Sequence, residues 1–306
     1  MHETHHARIH RELFLSAFGA RAGSPEPWVI DRLASLLEEQ FAHAGEALFH
    51  AGDSPDAFFL LRQGRVELAR RGSAPWVLSG RSAFGMADAL LDRPRARTAV
   101  ALTDVEAMKV HADACLELLE DSFALARIAV LGSMHTVADL EELLWAGAPP
   151  GPRPAPAPAA PTPLEALERL ALLAEVPLLR GAGVQNLSDL ALVTTVVTVP
   201  DGGALFERDG VGGRAFVLVE GEVTARRDRP EVTWQGGAGE IVGGAAAFTE
   251  RIAAWEAVAR TRVRALTFRI DDWLDLLEAH FEMVRFTLGA LSLRREDLHE
   301  RLTLAG

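Results

Sequence analysis

Apolar positions fall into short runs closed by glycine. Phe58–Leu61 and Ala215–Val219 are unbroken apolar runs, followed within a few residues by Gly64 and Gly221. Runs this short, ended by a turn residue, predict buried strands rather than helices. Beyond each glycine, Arg65–Ala69 and Glu222–Ala225 predict the returning strand. Leu266, Phe268 and Ile270 alternate with Thr267 and Arg269, the period-two pattern of a half-buried strand. Longer patterns predict helices over Trp28–Glu39 and Gln185–Val193, and again over Ala112–Trp145 and from Asp271 to about Leu302.

These elements come in two similar sets. GEALFHAGDSPDAFFLLRQGRVELAR, from Gly45, aligns with GGALFERDGVGGRAFVLVEGEVTARR, from Gly202, at an offset of 157. Ala47, Leu48, Phe49, Phe59, Gly64 and Val66 match Ala204, Leu205, Phe206, Phe216, Gly221 and Val223. Further on the offset becomes 158, where Asp113, Leu116, Leu118, Leu119, Glu120 and Phe123 match Asp271, Leu274, Leu276, Leu277, Glu278 and Phe281. A steady offset over so many positions implies a duplicated domain. Between the copies, Pro149–Pro163 holds eight prolines in fifteen residues. Proline fixes φ and lacks an N–H, so this stretch predicts an extended, semi-rigid linker. The expected organisation is an N-terminal segment 1–27, a first domain 28–147, a linker 148–163 and a second domain 164–306. Short strands between terminal helices predict an α+β, mainly β class: two antiparallel, jelly-roll-like β-rolls, each flanked by helices.

Composition narrows the function. At 306 residues and 49% hydrophobic, the chain can fill two cores. No run approaches 18 consecutive apolar residues, and Met1–His10 is polar, so neither a spanning helix nor a secretion signal is expected. Cys115 is the only cysteine, which excludes an internal disulfide and a thiolate metal cluster and fits a reducing cytoplasm. The net charge of -12 argues against nucleic-acid binding. Lys109 is the only lysine and tyrosine is absent, a bias expected of a GC-rich bacterial genome.

The chemistry-bearing stretch is FGMADALLDRPRARTAVA, Phe84–Ala101. It resembles the phosphate-binding cassette of cyclic-nucleotide-binding domains, the family of protein kinase A regulatory subunits and the bacterial catabolite activator protein. The family pattern begins Phe-Gly-Glu and ends Pro-Arg-Ala-Ala-Thr. Phe84 and Gly85 match its start, and Pro94, Arg95, Ala96 and Thr98 its end. The resemblance covers about residues 28–145 and 178–300. It implies a β-roll whose short helix and arginine grip a cyclic phosphate, with Phe84, Gly85, Met86, Ala87, Arg95, Ala96 and Thr98 as the ligand-binding set. The small residue Ala96 resembles adenine-binding members, and Ser133, His135 and Thr136 are candidates to meet the base.

Two departures weaken this implication. Met86 stands where the family glutamate accepts the ribose hydroxyl, and methionine is a poor acceptor. Losing that charge-assisted bond costs roughly 1.5–3 kcal/mol, about 10- to 150-fold in affinity. Asp88 is expected on another side of the short helix, a poor substitute. The second cassette, VGGAAAFTERIAAWEAVA, has drifted further. Gly243 and Gly244 stand at its start, with Gly244 at the glutamate position. Ala253 replaces the arginine, with Trp255 beside it. That pocket is expected to be closed by Trp255 and Phe248.

Other motifs are weaker. His2, His5, His6 and His10 match no standard metal-ligand spacing, so no metal is expected. Arg70-Arg71-Gly72-Ser73 resembles a basophilic kinase target and lies in an expected hairpin turn. No catalytic residue, P-loop or paired-carboxylate signature stands out, so the chain is expected to be non-enzymatic and to need no cofactor, a cAMP-like ligand apart. Two readings follow. One is a regulatory sensor whose first domain takes a cyclic nucleotide or small anion. The other is a scaffold for protein partners whose pockets have decayed. Both allow a protein partner and a homo-oligomer, and neither needs nucleic acid or a membrane.

Overall fold

The computed structural model describes residues 32, 35–80, 82–146, 160–161, 165–176, 179 and 183–305. The expected N-terminal segment and its histidines, and all of the expected linker except Ala160–Pro161, lie outside them. Two compact units divide the chain: Met1–Thr136 with Arg285–Gly306, and Val137–Val284. The division falls inside the two longest helices. The end of the first, from Val137, and nearly all of the second, from Arg285, therefore fall in the unit that contains the other sequence copy, whereas the expected boundaries stand at 147 and 164.

In the first unit the strands are β1 (Leu37–Ala42), β2 (Ala47–Phe49), β3 (Ala57–Gln63), β4 (Arg65–Ala69), β5 (Trp76–Ser79), β6 (Ser82–Phe84), β7 (Thr98–Ala101) and β8 (Val105–His111). They form two four-stranded sheets, ordered β1-β8-β3-β6 and β2-β7-β4-β5. Their pairings are antiparallel, giving the expected β-roll. Helix α1 (Met86–Leu90) interrupts the strands, and α2 (Ala112–Asp121) and α3 (Phe123–Trp145) follow them. The core forms because β3 buries Ala57–Leu61 on both faces. Phe49, Phe59 and Phe84 stack with ring centroids 5.3–6.1 Å apart. Burying each ring contributes about 1.5–3 kcal/mol.

In the second unit, β9 (Ala160–Pro161), β10 (Thr195–Val199), β12 (Arg214–Glu220) and β16 (Val263–Arg269) form one sheet, ordered β12-β16-β10-β9. β11 (Ala204–Phe206), β13 (Val223–Asp228), β14 (Glu231–Gly236) and β15 (Glu256–Ala259) form the other, ordered β11-β15-β13-β14. Helices α4 (Ala166–Glu175) and α5 (Val184–Val193) precede the roll, and α6 (Ile270–Ala279) and α7 (Phe281–Ala305) follow it. Phe206 and Phe216, the counterparts of Phe49 and Phe59, stack at 5.4 Å.

Gly64 and Gly221 show why both rolls need glycine at the same turn. Their φ values are +98° and +86°, and an added Cβ would strike the Asp104 and Arg262 carbonyl oxygens.

Four sequence expectations change. Leu37–Glu39 belongs to β1, not to a helix, because Leu37–Ala42 pairs along β8. The long helix over Ala112–Trp145 breaks at Ser122, and its counterpart breaks at His280; both residues have extended φ. Ile270 opens α6 rather than ending a strand. Thr267 is 2% exposed, because β16 is central in its sheet and the Thr267 hydroxyl accepts a bond from Arg214 Nε at 3.0 Å. Among the described residues, α3 alone is long and apolar enough to cross a membrane by length and composition. Its last turns carry Asp139, Glu141 and Glu142, which are ion-paired or hydrogen-bonded within the second unit.

Candidate functional site

The first cassette begins at Phe84, the end of β6, and turns at Gly85 with φ +72°. A Cβ there would lie 2.8 Å from Arg95 Nη1 and 3.3 Å from the Phe49 ring. Glycine is therefore required by both backbone and space. Met86 and Ala87 open α1 and are buried.

Arg95 is 3% exposed. Its Nη1 donates to the Gly85 carbonyl at 2.6 Å and its Nη2 donates to the Ala57 carbonyl. The guanidinium lies over the Phe49 ring, 4.4 Å from the centroid. Nε has no hydrogen-bond partner. Burial lowers its pKa, opposed by Asp88, Asp56 and Asp53. The side chain thus supplies the cassette's charge and spends two of its donor groups on backbone carbonyls.

Asp88, the third residue of α1, lies in the same cassette. It is 3% exposed and faces inward. One carboxylate oxygen accepts Arg93 Nε–H at 2.8 Å and the other accepts the Ala96 N–H at 3.1 Å. The expectation that Asp88 would point elsewhere assumed a regular helix. Here α1 has five residues, and the chain folds back so that Ala96 meets its third. The Thr98 hydroxyl accepts the Ala51 N–H at 3.0 Å. On α3, the Thr136 hydroxyl bonds its own helix at Gly132.

A second layer of the first unit escaped the sequence reading. Arg97 is 4% exposed and lies over Trp76, 5.7 Å from the ring centroid. Its Nη2 donates to Glu300 at 2.7 Å, and its Nε is 3.5 Å from Glu296. Arg70 Nη2 reaches the same Glu300 carboxylate at 3.0 Å. The His299 ring stacks on Trp76 at 5.1 Å, 9° from parallel. Arg295 Nη2 donates to the Ala83 carbonyl. Bonds from Arg97 and Ser73 hold the Glu300 carboxyl below its ordinary range. Burial, then Asp88, raises Glu296, and burial, then Arg295, lowers His299 to about 4.

The second cassette repeats the turn without the arginine. Gly243 and Gly244 have φ +80° and +57° and lead into two 3-10 turns, Gly244–Phe248 and Glu250–Ala254. Glu141, on α3, accepts the Ala245 N–H at 2.9 Å. Ala253 uses its carbonyl to accept the Asp209 N–H. Trp255 is fully buried in the core with Phe206, Phe216, Trp234 and Ile252. Trp145 meets the Trp255 ring edge-on at 6.2 Å. Phe248 sits elsewhere than expected, against Trp273 at 4.8 Å and Phe268 at 6.4 Å, because its turn faces α6 and β16. Arg227 donates to both Glu142 oxygens at 2.8 Å, and Arg251 reaches Asp139 at 2.6 Å.

One contact is duplicated. Arg70 and Arg227 are related by the offset of 157, and Glu300 and Glu142 by the offset of 158. Each unit therefore closes a strand arginine against an equivalent helix glutamate. Only the duplication could have revealed this pair from sequence. Among the described residues, no group of three or more His, Cys, Asp and Glu side chains could hold a metal ion.

A family model described as cyclic nucleotide-binding domain matches residues 39–122 and 196–280, together more than half of the chain. The cAMP-dependent protein kinase regulatory subunit of Aspergillus niger is 34% identical over 98 residues, 31% of this chain. The match spans 24% of that relative's length. Among solved structures, cAMP-bound PfPKA-R is similar at 16% identity and a TM-score of 0.40, over 90% of this chain and 85% of that one. The regulatory subunit of a cAMP-independent protein kinase A from Trypanosoma brucei is similar at 15% identity and a TM-score of 0.36, over 90% and 89%. With a matched model over each of its two β-rolls, the chain belongs to the cyclic nucleotide-binding domain family and carries that domain twice.

Proposed function

We propose that this protein is a non-enzymatic regulatory module that acts through protein contacts, with its nucleotide cassettes satisfied by its own side chains. The observation that carries this is the first cassette. Arg95 donates to the Gly85 and Ala57 carbonyls while the Asp88 carboxylate holds the Ala96 N–H. A cyclic phosphate competing there would displace a buried carboxylate, and carboxylate and phosphate repel each other. The second cassette supports the same reading, with Ala253 uncharged, Trp255 in the core and Glu141 on the turn amide. The single buried Cys115 fits a reducing cytoplasm, and the net charge of -12 fits protein partners better than nucleic acid.

The sensor reading keeps one argument: Arg95, Ala96 and Thr98 stand at the family spacing, and Arg95 is buried against Gly85. Thermal unfolding with cyclic AMP, cyclic GMP and cyclic dinucleotides separates the two. A ligand at a hundred times its Kd would stabilise by about 2.7 kcal/mol. The interaction reading expects no shift with any of them. A saturable shift that disappears in Arg95→Ala would replace it with the sensor reading.

A further inference from the structure

We propose that Ser73 is a phosphorylation site for a basophilic serine/threonine kinase, and that its phosphate opens the Arg70–Glu300 contact. The proposal does not depend on whether either roll takes a nucleotide. Sequence and geometry point to it separately. Arg70 and Arg71 stand three and two residues before Ser73, the cationic pattern that an acidic kinase cleft recognises. The segment lies at the tip of the hairpin between β4 and β5. Arg71 and Gly72 are exposed, and Gly72 has φ +82°.

The hydroxyl lies within the contact that holds the end of α7. Ser73 Oγ accepts Arg70 Nε–H at 2.7 Å, on the arginine that pairs with the Glu300 carboxylate. Glu300 in turn joins Arg70 at 3.0 Å and Arg97 at 2.7 Å. The reaction moves the terminal phosphoryl group of ATP to Ser73 Oγ. The bond to the ADP oxygen breaks, the Oγ–P bond forms, and the hydroxyl proton leaves.

Three consequences follow at once. The Ser73 oxygen that accepts Arg70 Nε–H becomes a phosphate ester oxygen. A group of about -1.5 to -2 charge then faces the Glu300 carboxylate. The phosphate also offers three strong acceptors to Arg70, whose side chain is 46% exposed. Arg97, which pairs with Glu300 and Glu296, is a second cation of the same cluster. The second unit is the built-in control. Arg227–Glu142 repeats the ion pair, but the position equivalent to Ser73 is Pro230, which has no hydroxyl.

The test treats the full chain with ATP and a purified basophilic kinase, maps the phosphate by mass spectrometry, and follows amide hydrogen exchange. A peptide of residues 66–79 reports that the kinase is active on this sequence. Expected are phosphate on Ser73, none there in Ser73→Ala, and exchange of residues 296–305 about tenfold faster, the loss of one charge-assisted bond. Residues 139–145 keep their protection. Glu300→Gln gives a kinase-independent check and accelerates the same segment. Phosphorylation of the peptide but not of Ser73 in the chain overturns the site. Phosphorylated Ser73 with unchanged exchange at 296–305, or Glu300→Gln with unchanged exchange there, overturns the release.

Discussion

Asp88→Ala tests whether the first cassette is held by its own anion. The carboxylate is 4% exposed and accepts two bonds, from Ala96 N–H and Arg93 Nε–H. The bond to Ala96 is charge-assisted and buried, so its loss costs about 1.5–3 kcal/mol. The Arg93 side chain is 38% exposed and rehydrates, so its share is about 1 kcal/mol or less. Glu296, whose pKa Asp88 helps to raise, recovers part of this when the like charge is removed. The net cost should be about 2–3 kcal/mol, or roughly 4–12 °C in the melting temperature of a unit this size. Asp88→Asn keeps an acceptor for Ala96 and should lose about half as much. Circular dichroism melts give the stability, and amide exchange at Arg95–Thr98 gives the location. Inorganic phosphate should then stabilise Asp88→Ala more than the wild type, since Ala96 N–H and Arg93 are freed. A variant within about 0.5 kcal/mol of wild type, with unchanged exchange at Arg95–Thr98, would refute the internal-anion argument.

Trp255→Ala should cost about 3–5 kcal/mol by urea denaturation, because a fully buried ring leaves a cavity. Trp255→Phe should cost markedly less, since it also removes an indole N–H with no hydrogen-bond partner. His299, lowered to about 4, takes its proton later in the folded chain than in the unfolded one, so its stabilisation is complete above about pH 6.5 and is lost as pH falls towards 4. Glu296, raised by burial, acts in the opposite sense, binding its proton sooner when folded. The melting temperature of His299→Gln relative to wild type should therefore rise as pH falls from 6.5 to 4, and a constant difference would contradict this. Burial raises the Cys115 thiol to about 12, so a thiol reagent at pH 8 should leave it unmodified until the chain unfolds.

The fold was legible where the physics is local or repeated. Buried runs, glycine turns and the steady offset pointed to two rolls, because a strand that buries both faces must be apolar throughout. Gly64 and Gly221 differ by 157, and the carbonyls they approach, at Asp104 and Arg262, differ by 158, so turn and partner recur together. The breaks at Ser122 and His280 were not legible, since apolar spacing continues through both residues. In the site, Phe84, Gly85 and Arg95 could be named because they lie within one short stretch. Asp88 could be named too, but not its direction, which depends on where the loop after α1 returns Ala96. From sequence, the acidic residues of the terminal helices, such as Asp139 to Glu142, read as solvated faces. Their partners lie far away in sequence, and no periodicity reports a contact made by the fold.

Drift after duplication left the two units unequal in an informative way. Packing residues kept their identity: Phe49 and Phe59 correspond to Phe206 and Phe216 and stack alike. The cassette did not. Arg95 became Ala253, and Arg97 became Trp255, so two buried cations were exchanged for apolar groups in the second unit. A buried guanidinium with no anion would be costly, whereas replacing a charged set by well-packed apolar groups can be neutral or stabilising. Yet the Arg–Glu contact between strand and helix persists in both units. Side-chain exposure at the ion pair is 8% and 13% in the second unit, against 46% and 14% in the first. The second pair is the drier, bidentate one, and breaking it leaves a desolvated charge. The first has a half-exposed arginine with a serine at its edge. The same contact is thus set to hold in the second unit and to be openable in the first. A double-mutant cycle should show it: coupling for Arg227 and Glu142 should exceed that for Arg70 and Glu300 by at least about 1 kcal/mol. Equal couplings would mean that burial does not separate the two.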